Sequence, residues 1–278
     1  MTIKGTLPKP QFSAEKAVSL PNVTVSASEP ILIKFHNSSP VKPIHHSVDN
    51  ACVLFFDIVN FTALNGKYDD AKVLDCLKNP LFAQFEILIK EHGVEKVKEI
   101  GDGCMIIATS NDNNAASLCC RIIDLAFAMQ QEVNALQQKL IADKTFGDYS
   151  LTARIGISFG PCEKIITPGG IGGVGKTDYM GSNVNFASRM ESSCKPGNIH
   201  VSQSVFSAVE KFYFFESAQV DIKGIGPITA YHVKGPNPLA DEQRLSFKAE
   251  VAQKRRMSTE LDAAEKEELK RTLSLPNF

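Results

Sequence analysis

Two aspartates stand where apolar runs break off, and their types and positions suggest metal chemistry. Asp57 ends the run Ala51 to Phe56, and Asp102 sits between glycines in Gly101-Asp102-Gly103. A strand buried on both faces does not accept an unpaired carboxylate, so Asp57 belongs at a strand's end. A DG pair between the alternating apolar stretches Val94 to Ile100 and Cys104 to Ala108 predicts a hairpin with Asp102 at its tip. If the two strands are neighbours, both carboxylates reach one sheet edge as hard oxygen ligands for Mg²⁺ or Mn²⁺. Taken singly, each has a plainer reading: Asp57 can cap the next helix and Asp102 can simply make the turn.

A second pattern competes for phosphate. In PGGIGGVGKT, Gly170, Gly175, Lys176 and Thr177 satisfy the P-loop spacing GxxxxGK[ST]. A P-loop needs its lysine and hydroxyl at the start of a helix, and Gly181 shortly afterwards argues against a helix beginning at Thr177. Further on, Asn185 and Arg189 lie four apart in a predicted helix Ser182 to Ser192 and share a face, while Val184, Ala187 and Met190 turn to the core.

The elements that must hold these side chains follow from periodicity. Beyond Phe61 and Thr62, the residues Val73, Leu77, Leu81, Phe85 and Leu88 recur at helical spacing up to Gly93, with a kink or split at Asn79-Pro80. Asn113 to Leu140 carries one apolar stripe and predicts a second long helix. Leu151 to Phe159 alternates as a strand, with Gly160-Pro161 as its stop. A strand Ile199 to Ser202, a helix Val205 to Lys211, and strands near Phe212 to Glu216 and Ile228 to Val233 complete the domain. Lys223 falls in the turn before the last strand.

Three segments result. Residues 1–50 hold six of the 14 prolines and read as an irregular N-terminal extension, with one strand-like island at Ile31 to Phe35 and with His45-His46 as solvated loop residues. Residues 51–235 form the domain. Residues 236–278 are dense in charge and read as a solvated helical or disordered tail, its apolar positions Leu245, Val251, Met257, Leu261, Leu269 and Leu273 imperfectly spaced. Arg255-Arg256-Met257-Ser258 there matches a basophilic kinase target, a short and common string.

Composition narrows the class. With 43% hydrophobic residues in 278, core material is ample. Thirty Lys and Arg against 31 Asp and Glu give a net charge of −1, so nothing global points to nucleic acid or an anionic membrane. No apolar run approaches a membrane span and Met1 to Lys16 lacks the apolar core of a signal peptide, which makes a cytoplasmic location the expectation. The seven cysteines form no CxxC pair and read as buried reduced thiols.

Five blocks in order, FFDIVNFT, a helix with LF..F, KVKEIGDGCM, RIGISFGP and DYMGSNVNFASRM, resemble the class III nucleotidyl cyclase catalytic domain across about Ala51 to Gly235. The resemblance implies an α+β fold, a ferredoxin-like βαββαβ core with additional C-terminal strands and helices, paired head to tail as a homodimer. Asp57 and Asp102 would bind two Mg²⁺ or Mn²⁺ ions, with the backbone around Ile58, Phe61 and Thr62 near metal and phosphates. From the other subunit Lys98 and Asp178 would read the base, Asn185 would orient the ribose, and Arg189 and Lys223 would bind phosphate. Lys98 only donates and ionised Asp178 only accepts, which suits adenine N1 and its 6-amino group. The family's guanylyl members have Glu and Cys or Ser there, so the implied activity is adenylate cyclase, ATP to 3′,5′-cyclic AMP and pyrophosphate.

Tyr179-Met180 and a longer preceding loop depart from the family pattern and leave a cyclase of another base open. A non-catalytic cyclase-like module that binds nucleotide or a partner protein is the third reading, and a P-loop NTPase trails it. No sensor domain is recognisable, so the N-terminal extension and the C-terminal tail are the segments open to a regulatory partner.

Overall fold

The computed structural model describes residues 42–110, 114–169 and 175–273. The first half is two interleaved β-α-β units. Strand β1 (Ile44–Ile58) leads through helices α1 (Phe61–Asn65), α2 (Asp70–Val73) and α3 (Asn79–His92) to β2 (Glu95–Ile100). Strand β3 (Gly103–Thr109) leads through α4 (Ala115–Ala142) to β4 (Ala153–Thr167). β3 inserts antiparallel between β1 and β2, and β4 flanks β1, giving the order β2-β3-β1-β4. That is the ferredoxin-like βαββαβ arrangement in an α+β fold.

The sheet continues past this core. A crossover through α5 (Ser182–Ser192) sets β6 (Ile199–Val201) parallel to β4, and β8 (Gly226–Pro236) pairs with β6 and with β7 (Tyr213–Ile222). A short strand β5 (Lys176–Met180) pairs with the far end of β4, and α6 (Gln203–Val209) precedes β7.

Strand alternation divides the core in two. Cys52, Leu54, Phe56 and Ile58 of β1 join Cys104 and Ile106 of β3 in the large cluster under α3 and α4. Ala51, Val53, Met105 and Ile107 face the other way, against Val184 and Ala187 of α5 and Tyr179 of β5. β1 is thus buried on both faces, as its unbroken apolar run requires.

Several expectations need correction. β1 begins at Ile44, so His45 and His46 are exposed strand residues opposite Ile165 and Lys164 rather than loop residues. Gly160-Pro161 does not stop β4, because the register shifts between Val48 and Ala51 and leaves Pro161 without a partner, where its missing N–H costs nothing. Asn79 does not cap a new helix. A π-helical turn, Leu74–Lys78, runs directly into α3 and places Pro80 in its first turn.

The tail is helix α7 (Asp241–Leu273), and its start is docked rather than solvated. Phe247 packs edge-on to Phe212, and Arg244 pairs with Asp124 and Asp241. Leu245 and Met257, two of the imperfectly spaced apolar positions, are exposed. The Ile31 to Phe35 island lies outside the described residues.

Candidate active site

The two aspartates meet at one edge. The register Phe56↔Cys104 places the end of β1 beside the start of β3, and a Cβ on Gly103 would come within 2.4 Å of Phe56 O and 3.5 Å of Asp57 Oδ1. Only glycine lets the hairpin approach so closely. Burial, followed by the nearby charge of Asp57, pushes the Asp102 pKa above the usual carboxylate range. Two such oxygen donors suit a hard divalent cation that takes its remaining ligands from water and substrate phosphate. Among the described residues no group of three or more His, Cys, Asp or Glu gathers as a cation site. Ile58 is buried, Phe61 is buried at the start of α1, and Thr62 is exposed after the left-handed turn at Asn60 (φ 61°).

Lys98 and Asp178 are already together. Lys98 Nζ donates to both carboxylate oxygens of Asp178 at 2.7 and 2.8 Å, and the Tyr179 N–H donates to Oδ1 at 2.8 Å. Burial works against the Asp178 charge, yet these hydrogen bonds and the Lys98 ammonium hold its pKa below the usual value. Tyr179, which departs from the family pattern, is buried under the sheet with its hydroxyl 3.2 Å from Glu95 Oε2, a second tie between β5 and β2.

Asn185, Arg189 and Lys223 form a third group. Arg189 Nη1 donates to the Lys223 backbone carbonyl, so α5 carries the β7–β8 turn beside it. Asn185 and Arg189 line a cleft of about 470 Å³ with Ser158, Phe159, Ser204 and Ile225. Neither aspartate nor Lys98 nor Asp178 lines that cleft.

Sequence reasoning passed over three residues. Asn183 Nδ2 donates to Ala51 O and Gly160 O, both at 3.0 Å, bridging the shifted register of β1 and β4 and fixing the start of α5. Arg154, opposite Asp57 in β4, donates from Nη2 to Asp57 Oδ2 at 2.6 Å. Its Nε lies 3.1 Å from Glu191 Oε1, close enough for an ion pair but misaligned for a hydrogen bond. Burial pushes the Glu191 carboxyl up to about 7 although Arg154 pulls the other way. The RIGI block contained Arg154, but its spacing gave no hint of an aspartate partner 97 residues away.

Lys176 and Thr177 of the P-loop look-alike begin a strand, opposite Thr167 and Ile166. They have no helix behind them, so the P-loop is excluded. Gly170 lies outside the described residues.

A paired-aspartate edge, a donor–acceptor pair and a cationic helix face on one chain are the equipment of a nucleotide-converting domain. The chain belongs to the adenylate and guanylate cyclase catalytic domain family, whose model matches residues 44–235. It is 32% identical over 194 residues to the receptor-type guanylate cyclase gcy-5 of Caenorhabditis elegans, covering 67% of this chain and 16% of that protein. It is 31% identical over 215 residues to the germination-specific adenylate cyclase of Dictyostelium discoideum, covering 74% and 23% respectively. Among solved structures, the catalytic core of a rhodopsin-guanylyl cyclase with converted specificity, in complex with ATPαS, is 26% identical with a TM-score of 0.57, over 69% of this chain and 99% of that one. The chain thus spans under a quarter of the length of the curated relatives named.

Proposed function

We propose that this class III nucleotide cyclase domain is an adenylate cyclase, converting ATP to 3′,5′-cyclic AMP and pyrophosphate. The observation that carries this reading is the Lys98–Asp178 pair, a donor on β2 and an acceptor on β5 held 2.7 Å apart although the two strands do not pair in the sheet. Adenine inserted there places its N1 acceptor against the ammonium and its 6-amino donor against the carboxylate. Guanine inverts both contacts, and leaving buried partners unpaired can discriminate by on the order of 10⁴. The curated relatives are of both kinds, so selectivity rests on these two side chains.

Asp57 and Asp102 would hold two Mg²⁺ or Mn²⁺ ions. When bound, such ions lower the pKa of the attacking 3′-hydroxyl and neutralise the leaving pyrophosphate. Arg189 and Lys223 bind the phosphates and oppose charge that grows in the transition state, and Asn185 orients the ribose. The metal-binding edge and the α5 cleft belong to different sites of a head-to-tail homodimer, so each site draws on both subunits.

The test is turnover of each of the four ribonucleoside triphosphates with Mn²⁺, by wild type and by Lys98→Glu/Asp178→Cys. Wild type should make cyclic AMP and pyrophosphate. The double variant should lose at least tenfold on ATP and gain on GTP. Wild-type preference for another base, or unchanged preference in the folded double variant, would overturn the assignment.

A further inference from the structure

The ion pair at the end of β1 gives the metal edge a cation of its own. Arg154 and Asp57 are cross-strand partners, and the guanidinium reaches the carboxylate at 2.6 Å in a site where both side chains are about 70% shielded, at 29% and 30% exposure. A guanidinium in that position occupies an oxygen of Asp57 that a divalent ion would need. Ordinarily, removing one partner of a shielded pair strands the other charge. Here Glu191 is waiting, with a side chain only 12% exposed.

Its Oε1 and the Nε of Arg154 are both buried, 3.1 Å apart, and neither makes a hydrogen bond. A small rotation of the guanidinium would align them. Glu191 is brought there by Gly156: a Cβ on that residue would sit 1.9 Å from the Glu191 backbone nitrogen, so the end of α5 lies directly on β4.

We propose that Arg154 is a positioning residue that occupies Asp57 in the metal-free enzyme and passes to Glu191 when Asp57 takes the ion, so that the Arg154–Glu191 pair sets the metal affinity of the edge. The inference rests on the reading of Asp57 as a metal ligand. In the metal-free state Arg154 keeps Asp57 and Asp102 from repelling each other apart. In the loaded state Glu191 holds the displaced guanidinium near the edge and prevents a buried charge from being left alone. Glu191 therefore acts on the metal only through Arg154.

That dependence makes a sign-definite test. Mn²⁺ binding to the full chain without nucleotide is measured from the paramagnetic resonance signal of the free ion, for wild type, Arg154→Met, Glu191→Gln, the double variant and Asp57→Asn. Removing the competitor in Arg154→Met should tighten binding by roughly tenfold, and removing the alternative partner in Glu191→Gln should weaken it several-fold. In the Arg154→Met background, Glu191→Gln should change affinity by less than about twofold. Weaker binding by Arg154→Met, or an undiminished Glu191→Gln effect in the double variant, would overturn the proposal, the latter showing that Glu191 acts by its own charge. If Arg154→Met does not fold, Arg154→Gln is read instead: its neutral amide keeps a polar side chain at the site but brings no charge to compete for Asp57, so it too must bind Mn²⁺ more tightly than wild type. Asp57→Asn separates the two layers. Unchanged binding there would remove the metal assignment itself, whereas lost binding with no effect at Arg154 would remove only the exchange.

Discussion

Lys98 shows what a single residue's position depends on. In a regular strand Lys96 and Lys98 share a face, but the register of β2 shifts between them, so Lys96 pairs across from Ile106 and Lys98 across from Met105. Lys96 accordingly meets Glu86 of α3, while Lys98 turns to the α5 face and meets Asp178. The sequence suggested a base reader at Lys98 only through family resemblance, since nothing in KVKEI signals the bulge. His200 and His232 are a second pair that pattern alone could not reveal. They face each other across β6 and β8, buried, with Nε2 atoms 2.9 Å apart, one ring donating and the other accepting. Burial, with the neighbouring His232 second, lowers the pKa of His200 to about 4, and burial lowers that of His232. The folded chain therefore refuses protons that the unfolded chain accepts below about pH 6.5, and stability should fall as pH drops from there towards 4. His200 alone should contribute a loss on the order of 2–3 kcal/mol. Urea midpoints at pH 7 and pH 5 check this: His200→Gln, which keeps a polar partner for His232 without titrating, should flatten the difference. An equal fall in that variant would place the acid sensitivity elsewhere.

Among the elements, α5 does the most to build the site, because it carries Asn185 and Arg189 on one face and delivers Glu191 to Arg154 at its end. Its seating depends on Gly156, where a methyl would meet the Glu191 nitrogen at 1.9 Å and the Ala187 oxygen at 2.5 Å, both backbone atoms that cannot swing aside. Gly156→Ala should cost about 1–3 kcal/mol of stability, as overpacking does, and should lower activity beyond what the loss of folded protein explains. Thermal unfolding alongside turnover per folded molecule tests both, and a wild-type melting temperature would contradict the packing argument. The helices α3, α4 and α5 and the β2–β3 hairpin were legible because each has a long period-3.6 stripe or a DG turn. The ends of β1 and β4 were not legible. Their pairing runs past the apolar stretch through His45, His46 and Lys164, and it survives Gly160-Pro161 because Asn183, more than 20 residues on, satisfies the freed carbonyls. Phe247 and Arg244 of α7 escaped notice for a related reason: two buried contacts in a charged helix do not make a periodic signal.

At the scale of the whole molecule, one chain presents the paired aspartates at the β1–β3 edge, while Arg189 faces a cleft that neither aspartate lines. The central claim is that a second copy closes this division, with the aspartates of one subunit serving the arginine of the other. Mixing inactive variants tests it most directly. Asp57→Ala and Arg189→Ala homodimers should each be nearly inactive. In a mixed dimer of the two, one site collects both defects and the other is intact. With random exchange in an equal mixture, half the dimers are mixed and each holds one good site, so activity should return to roughly a quarter of wild type. Asp57→Ala mixed with Asp102→Ala, whose lesions fall on the same side of the site, should stay inactive. No recovery from the first mixture at any ratio, once subunit exchange is verified, or recovery from the second, would contradict the account.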